Sequence, residues 1–447
     1  MSTLRNTDLS FFARSVAAVA GVAAASWPAL ASNPRSYNLA APTDALFDKL
    51  ESGAERAVML VVGDSVSFRE DSYLGYLQER FWGEFGVGDC GYRGASNAFG
   101  SPQSFHDTRP LGGSWRENAG DIPSRARISG PREVDAFFRP TDIGPLIPDG
   151  IYTQLEDGAE FFINGFGPTA NLYLYCLPGA GEAQIELNGE LLETVIETDA
   201  AEPALLVHEV DTGALPGEPY SLSVFAKPAT GPVVFAGAEM RSGTPGLTIQ
   251  RVTRGGSGPD DYLKSINPTA TAHLQTLAPD LIWIMLDPDQ RFGELYMQDM
   301  TALLDHYADV FPGVPTVLVS HHPFIPDIEL QSDQLLQLAR ERGMGYIDLN
   351  ETWADYDAMN DAGLMNGVVH LSPEGGQWFG AYLYGALLDA RACPADWDAS
   401  GTLDVADVIA LLGSFDAGEP AADLDGNSAL DVFDVIEYLG RFSEGCD

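Results

Sequence analysis

At 447 residues the chain is too long for one ordinary hydrophobic core and suits two or three domains. Its 65 acidic residues against 24 Lys and Arg give a formal charge of −41, a surface that repels phosphate backbones and anionic lipid, so nucleic acid is excluded as a ready partner.

Arg5 and Arg14 flank the approach to an apolar run from Ser15 to Ala25, and Ala29-Leu30-Ala31 is a small-residue pattern that a signal peptidase accepts. Residues 1–31 therefore read as a removed export signal, because the run is shorter than the roughly 20 residues that cross a bilayer. No later segment is long and apolar enough to span. Export puts the protein outside the cell or in a periplasm, where disulfides persist. Cys393 and Cys446 bracket the tail and are the preferred pair, which leaves Cys90 with Cys176 by subtraction.

Val58–Val62 is an apolar run that stops at Gly63-Asp64-Ser65, as a strand stops at a turn. Tyr73, Leu77, Phe81 and Phe85 follow at four-residue spacing, predicting a helix with one buried face. Between about 103 and 245 short β-type runs take over, at 160–163, 171–175, 184–187, 205–207, 220–225 and 233–236, with Asn188-Gly189 as a hairpin turn. A β-sandwich inserted into an α/β domain accounts for the change. From 247 the first pattern returns, with strands near 247–252, 281–286, 316–320 and 346–349 and helices at 294–310 and 330–342. With the first strand these make a five-stranded, doubly wound parallel sheet. Functional groups on such a sheet collect beyond the carboxyl ends of the strands, where Ser65, Asp287, Asp289, Gln290, His321 and His322 all fall. The chain thus divides into a signal at 1–31, an α/β domain in two parts at 40–102 and 246–390, a sandwich at 103–245 and a tail at 391–447.

The tail repeats itself. Asp396, Asp398, Ser400, Asp404 and Asp407 stand at positions 1, 3, 5, 9 and 12 of a calcium-type loop, with Gly401 at the turn and the Thr402 carbonyl at position 7. Asp423, Asp425, Asn427, Ala429, Asp431 and Asp434 repeat the spacing, except that Ser428 replaces the turn glycine. Each loop runs into a matching apolar helix, so the duplication extends beyond the ligands. This tandem resembles the dockerin modules of secreted glycan-active enzymes, which implies two structural calcium ions and a cohesin-like scaffold partner. Asp407 and Asp434 take the place of the bidentate Glu of a typical EF-hand, and the strained turn at Ser428 predicts a weaker second site.

Gly63-Asp64-Ser65 after the first strand, with His370 before the last helix, resembles the SGNH (GDSL-type) hydrolases. That resemblance implies a serine esterase in which Ser65 attacks an ester carbonyl and His370 takes its proton. It also implies an oxyanion-hole glycine, for which Gly256 in Gly255-Gly256-Ser257-Gly258 is the choice. The family's third block has Gly-x-Asn-Asp, whereas here Asp287-Pro288-Asp289-Gln290 follows the strand. Asp289 stands in the asparagine place, where a carboxylate accepts hydrogen bonds instead of donating them, and the neighbouring Gln290 amide is a replacement donor. The acid expected three residues before the histidine is Gly367, so His370 works as half of a dyad, oriented by a backbone carbonyl or by Asp287 or Asp289. His321 and His322 are a rival base or a substrate contact.

Two functions follow from these features. One is an esterase removing O-acetyl groups from a glycan, since a sandwich between the first and second blocks is similar to the arrangement of bacterial peptidoglycan O-acetylesterases; Tyr173, Tyr175 and Trp115 are then candidates to stack on sugars. The other is a catalytically impaired glycan-binding protein of the same fold and tether.

Overall fold

The computed structural model describes residues 36–68, 73–95, 127–129, 132–134, 143–286, 293–324, 328–353, 355–389, 395, 397, 403, 405–418, 422–424, 427 and 429–444. The export signal, Trp115, Asp287, Asp289, Gln290, Cys393, Cys446 and loop residues Asp396, Asp398, Ser400, Thr402, Asp404 and Asp425 lie outside the described residues.

The chain enters through β1 (Ser36–Tyr37) and α1 (Ala40–Ser52), then β2 (Ala57–Gly63), the short α2 (Ser65–Phe68), α3 (Tyr73–Phe85) and β3 (Gly91–Gly94). Every residue of β2 is buried, and its Val- and Leu-rich sequence is the kind that a strand covered on both faces requires. Met59 and Val61 join one core while Leu60 and Val62 join another on the opposite face. In α3 the stripe of Tyr73, Leu77 and Phe81 is buried, as its spacing predicts.

Ten strands follow: β4 (Arg127–Ser129), β5 (Arg132–Val134), β6 (Thr153–Leu155), β7 (Glu160–Phe166), β8 (Thr169–Cys176), β9 (Glu182–Leu187), β10 (Glu190–Glu197), β11 (Ala204–Asp211), β12 (Pro219–Ala226) and β13 (Val233–Arg241). They form two antiparallel sheets, β10-β9-β12-β7-β4 and β11-β8-β13-β6-β5, and β3 pairs with β13. Asn188 and Gly189, both with positive φ, make the tight turn between β9 and β10. Phe161 and Leu222 from one sheet meet Leu172, Leu174 and Phe235 from the other in a shared core. The Phe161 and Phe235 rings lie 5.0 Å apart.

The chain then returns through β14 (Leu247–Thr253), α4 (Pro259–Leu263), α5 (Pro268–Leu277), β15 (Leu281–Met285), α6 (Glu294–Val310), β16 (Thr316–Val319), α7 (Ile328–Arg342), β17 (Gly345–Ile347), α8 (Tyr356–Asp361), the hairpin β18 (Met365–Asn366) and β19 (His370–Leu371), and α9 (Pro373–Asp389). The main sheet runs β1-β17-β16-β15-β2-β14. Its five longer members are parallel, and β1 adds a sixth, antiparallel edge of two residues that is too short to show as a pattern in sequence. Close packing of α9 rests on two glycines. A Cβ at Gly375 would lie 2.0 Å from the Leu364 carbonyl, and one at Gly380 would lie 2.7 Å from the Tyr76 Cβ. Helices α10 (Val405–Ala417) and α11 (Val432–Glu444) close the chain around a small core of Ala395, Leu411, Ala422 and Tyr438. No helix among the described residues is long and apolar enough to cross a membrane.

Two expectations fail here. Cys90 and Cys176 are not joined. Cys90 donates its amide to Met240, which pairs with Ala170 at one end of β8, whereas Cys176 ends the same strand. Six residues of extended chain span about 20 Å, well beyond the roughly 7 Å between Cα atoms that a disulfide bridges. Tyr173 and Tyr175 are not sugar platforms, being 1% and 0% exposed. Both faces of β8 are covered, because its second face packs on α5, where the His273 ring stacks on Tyr173 at 4.7 Å and its Nδ1 lies 2.9 Å from the Tyr175 hydroxyl.

Candidate active site

Ser65 follows β2, an inner strand beside the sheet edge β14, and His370 opens β19. His370 Nε2 lies 2.9 Å from Ser65 Oγ, although the two residues are 305 positions apart in the chain. Both side chains are partly exposed. When the Nε2 of His370 carries no proton, the Ser65 hydroxyl donates to it, which is the ground-state arrangement for a serine nucleophile and its base.

The turn that carries Ser65 is held from several sides. Asp64 Oδ1 accepts the Val66 amide at 2.8 Å, and the Asp64 carbonyl accepts the amides of Ser67 and Phe68, so Asp64 caps α2. The Gly63 carbonyl takes the Tyr262 hydroxyl at 2.7 Å and the Arg254 amide at 2.9 Å. Beneath the turn, Ser67, Tyr73 and Trp283 form a buried chain of contacts, each 3.1 Å long. Gly63 cannot be another residue without movement: its Cβ would stand 2.5 Å from Ser67 Cβ.

The histidine side is built differently. Asn366 pairs with His370 across the β18–β19 hairpin, and Gly367 sits in the connecting turn with φ 80°. The Gly367 carbonyl accepts the Tyr356 hydroxyl at 3.0 Å. Where an acid would orient the histidine, this chain has a left-handed turn that glycine adopts without strain.

His321 and His322 follow β16 and are 2% and 0% exposed, so they meet neither solvent nor a substrate. His321 Nε2 lies 2.5 Å from Asp64 Oδ2, and His322 Nε2 lies 2.9 Å from the Val369 carbonyl. Burial pushes His322 down to about 3, helped by the neighbouring His321 and His370 rings. Each is committed to a partner other than Ser65. Tyr262 is a part of the site that motif reading missed, and Asp64 and the histidine pair, which it had singled out, have contacts other than those it gave them.

Gly256, with φ 61°, lies in the exposed turn two residues beyond Arg254, whose amide is bonded to Gly63, and so at the same sheet end as Ser65. In the tail, Asp407 and Asp434 are wholly buried. Asp434 accepts the amides of Leu424 and Asp431, both at 2.8 Å, and Asp423 Oδ1 accepts the Asn427 amide at 3.0 Å. Among the described residues no three acidic, histidine or cysteine side chains converge as a preformed metal cluster. The exposed faces of the two helices are apolar at equivalent positions, Val405, Ile409 and Leu412 on α10 and Val432, Ile436 and Leu439 on α11.

No protein-family model matches the chain, and no curated protein is similar to it in sequence. Among solved structures it is similar to one titled "Peptidoglycan O-acetylesterase in action", 14% identical, with 79% of this chain and 95% of that one covered and a TM-score of 0.58. It also matches a family two carbohydrate esterase from Clostridium thermocellum in complex with cellohexaose, 10% identical over 58% of this chain and 98% of that one, at a TM-score of 0.27. A salicylyl-acyltransferase from a tetracycline biosynthetic pathway is 16% identical over 57% of this chain and 86% of that one, at 0.29. The last two scores are too low to carry an argument. Over the 79% of the chain that is covered, the protein shares the overall fold of the peptidoglycan O-acetylesterase structure.

Proposed function

We propose that the protein is an exported serine esterase that removes O-acetyl groups from a glycan and is tethered through its calcium-binding tail. The observation that carries this reading is the 2.9 Å contact between Ser65 Oγ and His370 Nε2 at the carboxyl end of β2. Ser65 Oγ gives its proton to His370 and attacks the acetyl carbonyl; the sugar oxygen leaves with that proton, and water then releases acetate from the serine by the reverse proton route. The Ser65 and Gly256 amides and the Gln290 side chain are the proposed donors to the oxyanion. The acetylated glycan follows from the SGNH resemblance and from the fold shared with a peptidoglycan O-acetylesterase.

In the tail, buried Asp407 and Asp434 fit a cation that neutralises them, and Asp423, Asn427, Asp431 and Asp434 would hold it in the second loop. The dockerin resemblance and the repeated apolar positions on α10 and α11 support a cohesin-like partner.

A second reading, a glycan-binding protein without turnover, is favoured by Asp289 in a donor's place. The deciding measurement is p-nitrophenyl acetate and acetylated xylan hydrolysis by the calcium-loaded mature protein beside Ser65→Ala. We expect a loss of at least about 10³-fold in the variant. Equal rates would sink the esterase reading.

A further inference from the structure

The end of β16 is fastened before it reaches the site. Ser320 Oγ donates to Asp348 at 2.9 Å and accepts the Leu349 amide at 2.9 Å. From this fixed point the next two residues diverge. His321 reaches Asp64, the residue before the serine, and His322 reaches the carbonyl of Val369, the residue before the histidine. Both rings are locked by packing, with Phe324 at 5.2 and 5.5 Å and Phe379 at 5.7 Å from His322. A carbonyl only accepts, so the His322 proton sits on Nε2; Nδ1 has no partner among the described residues, as befits a neutral ring.

We infer that His321 and His322 are positioning residues that set the Ser65–His370 distance, His321 holding the serine turn through Asp64 and His322 holding the histidine strand through Val369. This rests on the esterase reading. Neither ring touches the reacting atoms. Two strands far apart in the chain are thereby gauged against one dipeptide. A displacement of about 1 Å at such a contact costs on the order of 10²-fold in rate.

The test uses full-length, calcium-loaded protein and p-nitrophenyl acetate kinetics. His322→Phe keeps the ring and removes the N–H; His322→Gln restores an N–H near the Nε2 position. We expect His322→Phe to lower kcat about 10- to 100-fold with KM within about twofold, and His322→Gln to recover most of it. His321→Phe and His321→Gln should behave in parallel. Active wild type with unaltered His322→Phe and His321→Phe overturns the inference alone, as does His322→Gln being no better than His322→Phe. Wild type no faster than Ser65→Ala overturns the esterase reading and the inference with it. Should the Phe variants fail to fold, wild type labelled with ¹⁵N-histidine still decides. The resonance assigned to His322 must report a neutral ring protonated at Nε2 from pH 8 to 5, and an Nδ1–H tautomer overturns the proposal.

Discussion

A single methyl group at position 63 has no room. The Ser67 carbon and oxygen it would strike, at 2.5 and 2.6 Å, belong to the helix that begins with the nucleophile, and Ser67 is itself tied to Tyr73. Gly63→Ala should therefore cost about 1–3 kcal/mol of stability, the usual range for overpacking, and shift Ser65 relative to His370. Thermal melting and acetate-ester rates measure the two effects separately; a variant with wild-type values in both refutes the packing argument. At this scale the sequence singled out Ser65 and His370, which the fold brings to 2.9 Å, because Gly-Asp-Ser and a late histidine are local words. It did not disclose the role of Asp64, since the partner that explains it, His321, stands 257 positions away. Gly367 shows the reverse: an absent acid was readable, while the turn that occupies its place became visible only with the hairpin.

Among the elements, the parallel strands were the most legible, because strands buried on both faces carry unbroken apolar runs. β10 was missed: its apolar pairs Leu191-Leu192 and Val195-Ile196 are separated by Glu193 and Thr194, so it has neither a long apolar run nor a clean alternation to detect. Tyr173 and Tyr175 were misread for a related reason, in that alternation along β8 shows two faces without telling that a second layer covers the outer one. The calcium loops yield a sharper expectation. The sixth loop position needs a left-handed turn, and Ser428 there should cost about 1–2 kcal/mol relative to glycine, which corresponds to about 5- to 30-fold weaker binding at the second loop than at the first. Calorimetry on the mature protein should resolve two unequal sites, and Ser428→Gly should bring them together. Equal sites in the unaltered protein would refute this.

The molecule as a whole should weaken in mild acid. His273 and His322 are fully buried and burial pushes each down to about 3, below the ordinary value of 6.5. The unfolded chain binds these protons first, so their stabilisation is complete above pH 6.5 and is lost as the pH falls toward 3. Each should contribute a slope of about 1.4 kcal/mol per pH unit within that window. His273→Phe, which keeps the stack on Tyr173, should make the dependence shallower by one such slope between pH 6 and 4.5; an unchanged slope in denaturant titrations would count against it. The junction between sandwich and α/β layers adds an opposing pair of effects. Glu239 pays for burial but is drawn below its usual value by Arg241 and Arg56, while burial and Glu239 raise Asp89. None of this was open to a reading of spacing, because Glu239 and Arg241 lie on β13 while Arg56 precedes β2 and Asp89 precedes β3, far off in the chain. The separation between Ser65 and His370 has one more consequence, this time for biosynthesis. Chains are made from the N-terminus at about 5–20 residues per second, so the 305 positions between the two residues take roughly 15–60 s to add. Throughout that interval the nascent chain holds Ser65 without His370, so on the esterase reading it should be inert toward the esters of the cell that makes it.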